Sequence, residues 1–208
     1  MKIVAIDASR GDYTLNRTLL TVAEAAEDAG AELVYIRLSD YRIMNCLSCK
    51  LCVMGEGCKM KDDLPELMDH ISEANGIIIS APDERARNSK ALCAFLARLK
   101  TYFDAEREAQ PALPGFGAPN DYLSKIARDT KRAIIITSSA SEGGIGAYFA
   151  PNALNNASIR RIRRHLAAAN INAVGSMAVR RGNLRNDELC LDSRLRAVSM
   201  GRLIAGKV

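Results

Sequence analysis

The chain has 208 residues, is 48% hydrophobic and carries a formal net charge of +5, which fits one domain with a sizeable core and leaves two full domains cramped. No apolar run reaches the roughly 18 to 20 residues of a membrane helix, and the opening MKIVAIDASRG does not read as a secretory leader, so the expectation is a cytoplasmic protein with no membrane association. In a reducing compartment its six cysteines point to metal or redox chemistry rather than to a disulfide framework.

In chain order, short apolar runs alternate with amphipathic helical patterns. KIVAID (Lys2–Asp7) reads as a first strand, followed by a helix over Leu15–Ala29 and a second strand, ELVYIRL (Glu32–Leu38). A cysteine-rich segment then leads into a helix over Leu64–Ala74 and a third strand, GIIIS (Gly76–Ser80). A helix over Asn88–Glu108 follows, then QPALPGFGAPN (Gln110–Asn120), whose three prolines and two glycines forbid a regular element. RAIIITS (Arg132–Ser138) is a fourth strand, Pro151–Ala169 a helix, INAVGSMAV (Ile171–Val179) a fifth strand, and Asp187–Ala205 a closing helix.

Strands buried on both faces and separated by helices imply an α/β fold with a parallel sheet. Five of them fit one flavodoxin-like, doubly wound domain over residues 1–208, strand order 2-1-3-4-5, with a cysteine-rich insertion over residues 45–60 after strand 2. The order comes from the fold class and not from the residues. In such sheets the ligand lies at the carboxyl ends of the strands, at the point where the winding reverses.

The positive charge raises nucleic acid as a partner, and Arg160–His165 (RRIRRH) is the densest basic run. Ile159, Ile162 and Leu166 put one apolar face on that helix and leave the arginines as its solvated face. With 5% aromatic residues and no base-reading module, no nucleic-acid partner is expected.

Cys46, Cys49, Cys52 and Cys58 are spaced C-x2-C-x2-C-x5-C. Such a run can turn tightly enough to present three thiolates to one cubane, and the fourth can close it, with Gly55 and Gly57 in the longer gap for close backbone approach. A [4Fe-4S] cluster on these four is the preferred reading. A zinc site remains the alternative, although zinc knuckles pair two C-x2-C units across a longer separation. Free thiols rank lowest, because clustered thiolates repel without a cation. Cys93 and Cys190 fall in helical patterns and read as small buried apolar residues.

After the first strand, DASRGDYTLNRTLL places Ser9, Thr14, Asn16 and Thr18 where a helix should begin, and exposed amides and hydroxyls there suit a phosphate. The loop has neither the G-x-G-x-x-G of a dinucleotide fold nor the Walker A lysine. Ser and Thr before a helix are also ordinary N-caps.

Taken together, these features resemble the iron-sulfur flavoproteins of the NADPH-dependent FMN reductase group. The resemblance rests on four stretches. The family loop G-S-P-R-x-x-x-N-T-x-x-L-L, laid on Ala8–Leu20, matches Ser9, Leu19 and Leu20, with Asn16 one place late; the compact cysteine motif is followed by Lys61-Asp62-Asp63-Leu64; the stretch after strand three keeps Pro82, Ser89, Leu92 and Arg98; and MGRLIA (Met200–Ala205) closes the chain. The resemblance implies FMN, with its phosphate at Ser9, Arg10, Thr14 and Asn16, and its ring near Pro82 and Ser89. It puts Ser138, Ser139, Gly143 and Gly144 along the other ring edge. It also implies ferredoxin or NAD(P)H as electron donor, and a homodimer or homotetramer. The chain departs from the family at Arg10, where the loop proline is expected, and at Glu84, where a tyrosine is expected, with Asp83 beside it and Arg85 and Arg87 following.

His70 and His165 lie on helical patterns away from these loops, and no Ser-His-Asp arrangement is visible. Two functions follow as expectations: an oxidoreductase or electron-transfer flavoprotein using FMN and a [4Fe-4S] cluster, or a non-enzymatic redox- or metal-sensing module on a flavodoxin-like scaffold whose flavin site has degenerated.

Overall fold

In the computed structural model the described residues are 1–49, 51, 58–82, 90–109, 131–139, 157–180, 184–185 and 188–206, with only the backbone described at 102–109, 139, 184 and 185. Five parallel strands form one sheet in the order β2-β1-β3-β4-β5, as the fold class predicts. They are β1 (Lys2–Asp7), β2 (Glu32–Arg37), β3 (Gly76–Ala81), β4 (Lys131–Ser139) and β5 (Ile171–Arg180).

Alternation along each strand divides the core into two layers, because successive side chains leave opposite faces. Val4, Ile6, Ile77, Ile79 and Ile135 face helices α2 (Leu64–Glu73), α3 (Lys90–Ala109) and α4 (Ala157–Ala168), where Leu67, Met68, Phe95, Leu99 and Ile162 complete the layer. Ile3, Ala5, Ile78, Ile134 and Ile136 face α1 (Tyr13–Asp28) and α5 (Leu191–Ile204), packed through Leu15, Leu19, Val22, Ala197 and Ile204. Both faces of the central strands are therefore covered, which is why those strands read as unbroken apolar runs. On α4, Ile159, Ile162 and Leu166 are buried and Arg160 and Arg164 exposed, as the sequence pattern predicts, whereas Arg161 and Arg163 are half-buried and point at Cys93 and Ser176.

Element ends differ from expectation where a local cap or pairing decides them. α1 begins at Tyr13, two residues before the expected Leu15, because the Asp12 side chain accepts a hydrogen bond from the Leu15 amide and caps the helix there. The second strand stops at Arg37, and Leu38–Asp40 form a short 3-10 turn. The closing helix starts at Leu191 and not at Asp187: Glu188–Leu189 (β7) pair antiparallel with Leu184–Arg185 (β6) just before it. The expected loop Gln110–Asn120 and the start of the expected helix at Pro151 lie outside the described residues. Among the described residues no helix is long and apolar enough to cross a membrane.

Candidate functional site

The carboxyl ends of β1, β3 and β4 lie side by side, with Asp7 in register with Ser80 and Ala81 with Thr137. This arrangement brings Ser9, Pro82 and Ser138 to one edge of the sheet, all three buried. Thr137, also at this edge, is fully buried, and its hydroxyl has no hydrogen-bond partner among the described residues. A buried hydroxyl without a partner is costly, so an acceptor or donor brought by a ligand there would be rewarded. Ser139 is described only as backbone at the end of β4, and Ser89, Gly143, Gly144 and the Asp83–Arg87 stretch lie outside the described residues.

The first loop is a tight turn. The Asp12 amide donates to the Ser9 carbonyl at 3.2 Å, and the two central residues, Arg10 (φ 54°) and Gly11 (φ 85°), both take left-handed backbone. Gly11 bears this at no steric cost, whereas Arg10 holds a conformation uncommon for a residue with a Cβ. Thr14 is buried in the first turn of α1, and its carbonyl accepts from the Thr18 hydroxyl at 2.7 Å.

Asp7 organises this loop, a role that the sequence reading missed. One carboxylate oxygen accepts from the Ser9 amide at 2.8 Å and the Ser80 hydroxyl at 3.3 Å. The other accepts from the Asn16 side-chain amide and the Tyr35 hydroxyl, each at 2.8 Å. Asn16 also donates to the Tyr35 oxygen at 2.8 Å. Burial pushes the Asp7 carboxyl up, but the hydrogen bonds from Ser9, Tyr35 and Asn16 outweigh it and hold the group below its ordinary value of 3.8. Tyr35 is pushed up, first by burial and then by its bond to Asp7. Two of the donors expected to meet a phosphate, Ser9 and Asn16, are thus turned toward a carboxylate of the chain itself. The sequence signal was an acidic residue directly after the apolar stretch Ile3–Ile6 of the first strand.

A second constellation closes the base of the cysteine segment. The Asp63 carboxylate accepts from the Arg42 amide at 2.7 Å, and the Asp63 amide donates to the Arg42 carbonyl at 3.1 Å. The preceding residue, Asp62, accepts from the Met44 amide at 2.8 Å and forms an ion pair with Arg98 of α3. This pair is shut away from solvent, with side-chain exposures of 5% for Arg98 and 0% for Asp62. Burial raises the Asp62 carboxyl, but the Arg98 hydrogen bond, the Met44 amide and the guanidinium charge bring it below 3.8. The Lys61-Asp62-Asp63 motif therefore has a mechanical meaning: both carboxylates staple the two arms of the segment together.

Within the segment two sulfurs already have N–H donors. The Ser48 amide points at Cys46 Sγ at 3.4 Å, with Ser48 in left-handed backbone (φ 54°), and Arg98 Nη2 points at Cys58 Sγ at 3.3 Å. A neutral thiol is a weak acceptor, so donors aimed at sulfur are best rewarded when the sulfur carries negative charge, as in a metal-bound thiolate. In this donor chemistry the cysteine segment fits a thiolate-held group. Cys46, Cys49 and Cys58 are exposed and unbridged, and Cys52 lies outside the described residues. Among the described residues no three His, Cys, Asp or Glu side chains are gathered closely enough to hold a metal ion.

The family profile of NADPH-dependent FMN reductases matches residues 1–150, the part of the chain that carries β1 to β4 and the cysteine segment. The chain belongs to this FMN reductase family. It is also similar to curated iron-sulfur flavoproteins: 34% identical over 82 residues to one from Archaeoglobus fulgidus (39% of this chain, 40% of the relative), and 28% identical over 105 residues to one from Methanosarcina thermophila (50% and 51%). The matches thus span between two fifths and about half of the length of these relatives. Among solved structures, a flavone reductase superposes with a TM-score of 0.64 at 17% identity, covering 99% of this chain and 62% of that one. An NADH:FMN oxidoreductase does so at 0.56 and 18%, covering 98% and 88%. At these identities the structural matches speak to the fold, which is the one the FMN reductase profile implies.

Proposed function

We propose that this member of the FMN reductase family is an electron-transfer flavoprotein that holds FMN at the carboxyl edge of the sheet and a [4Fe-4S] cluster on Cys46, Cys49, Cys52 and Cys58. The observation that carries this reading is the stapled cysteine segment with N–H donors aimed at the sulfurs of Cys46 and Cys58. When bound, the flavin stores one or two electrons and the cluster passes them singly, so the pair couples a one-electron donor to a two-electron acceptor.

The chain's own residues take defined parts in this scheme. Arg10 and the first turn of α1, including Thr14, would meet the phosphate, with Ser9 and Asn16 fixing the loop through Asp7. Pro82 and Ser89 would lie against the ring, and Ser138, Ser139, Gly143 and Gly144 along its other edge. The Thr137 hydroxyl at the same edge, without a partner among the described residues, supports a ligand there. Ferredoxin or NAD(P)H would supply electrons in a cytoplasmic homodimer or homotetramer. The test is anaerobic reduction of the purified protein followed by visible and EPR spectra: superposed flavin and cluster signals support the reading, and a colourless protein ends it.

One observation favours a second reading, a non-enzymatic redox- or metal-sensing module on this scaffold. Asp7 and Asp12 already engage Ser9, Asn16 and the Leu15 amide, and two carboxylates beside a phosphate site oppose a dianion. Titration of the apoprotein with FMN separates the two readings, since a sensing scaffold leaves FMN free.

A further inference from the structure

The structure assigns to Arg98 a role toward the cysteine segment that goes beyond packing: it holds Cys58 in place and, through its charge and N–H donor on that sulfur, sets the reduction potential of the group that the cysteines carry. This inference rests on the cluster reading of the cysteine segment.

Arg98 is buried on α3, the helix that brings Phe95 and Leu99 to the core, and it reaches three acceptors on the segment at once. They are the Asp62 carboxylate, the Met44 carbonyl at 3.2 Å and Cys58 Sγ at 3.3 Å. A guanidinium presents five N–H donors in a rigid fork, so three acceptors in separate directions fix its position. Asp62 in turn accepts from the Met44 and Leu64 amides, so the carboxylate that orients Arg98 is itself held by backbone on either side of the loop. The contrast with Arg161 is instructive. It also points at a cysteine sulfur, Cys93 at 3.5 Å, yet that cysteine lies outside the C-x2-C-x2-C-x5-C run.

A positive charge and an N–H donor at a thiolate ligand favour the more negative, reduced state of a cluster and raise its potential. Arg98 is itself buried while Cys58 is exposed, so water screens the effect only from the sulfur's side. Asp62 offsets part of the charge and also fixes which nitrogen faces the sulfur.

The experiment uses the full chain, reconstituted anaerobically with iron and sulfide, as wild type, Arg98→Gln and Arg98→Lys. Iron and sulfide are assayed per chain, and the midpoint is read by EPR-monitored redox titration. Arg98→Gln should show a roughly tenfold lower reduced-to-oxidised ratio at the wild-type midpoint, about 59 mV for a one-electron couple. Arg98→Lys, which keeps the charge, should recover most of that ratio. An Arg98→Gln protein with the wild-type midpoint overturns the role of Arg98, as does a lysine variant displaced as far as the glutamine one. If Arg98→Gln holds no iron, the lysine variant decides: retention of the cluster supports the assignment, and loss in both overturns it in favour of a purely structural arginine. A wild type that takes up no iron and sulfide defeats the cluster reading itself, a result distinct from an unshifted potential.

Discussion

Replacement of Asp7 by alanine should cost the fold about 2 to 6 kcal/mol, a figure that follows from which of its partners can turn to water. Asn16 and Tyr35 are partly exposed and can rebind solvent, so their loss is small. The Ser9 amide and the Ser80 hydroxyl cannot, since Ser9 is 4% and Ser80 0% exposed. Two stranded buried donors at about 1 to 3 kcal/mol each give the range. For a chain of this size each kcal/mol moves the melting temperature by about 2 to 4 °C, so a fall of roughly 4 to 24 °C is expected. The effect also has a pH signature. The folded carboxyl lies below its ordinary value, so its stabilisation is complete above about pH 4 and is lost as the pH falls through the folded value. Urea denaturation at pH 7 and at pH 3, followed by circular dichroism, should therefore show a wide gap between wild type and variant at pH 7 that narrows at pH 3. A loss below about 1 kcal/mol at pH 7, or a gap that widens in acid, would mean that Asp7 does not hold the Ser9 amide and the Ser80 hydroxyl.

Three further outcomes are expected. Gly201→Ala places a Cβ 2.4 Å from the Val22 carbonyl oxygen and 2.9 Å from the Ala26 amide nitrogen, where α5 meets α1. Overpacking of about 1 to 3 kcal/mol should exceed the ~1 kcal/mol gained in helix propensity, seen as a lowered melting temperature. Asp7→Asn removes a negative charge from the first loop and should tighten FMN relative to riboflavin in fluorescence titrations, whereas equal changes for both flavins would show that the carboxylate does not act on the phosphate. Cys49→Ser should lower reconstituted iron severely while Cys93→Ser leaves it at the wild-type level; equal losses would break the assignment of the ligand set.

The sheet was legible because buried parallel strands leave long β-branched runs such as Ile77–Ile79 and Ile134–Ile136, which little else in a chain of this composition explains. Element starts were less so. Asp12 can cap a helix only once the turn before it forms, and that turn depends on left-handed backbone at Arg10, a residue type that does not announce it. The cysteine spacing marked the segment proposed to hold a metal group, but what holds the segment depends on partners far apart in sequence: Arg98 is 36 residues from Asp62 and 54 from Met44. Tyr35 stands 28 residues from Asp7 and meets it only because β2 lies beside β1. The motif Lys61-Asp62-Asp63 was visible as a pattern, and its use as a staple required the fold.

Whether the chain carries both groups is read from the content of iron, acid-labile sulfide and FMN per chain in protein purified without air. About four irons, about four sulfides and one FMN per chain are expected. Zinc in place of iron, with no flavin retained, would contradict this expectation and leave the fold of an FMN reductase without the chemistry.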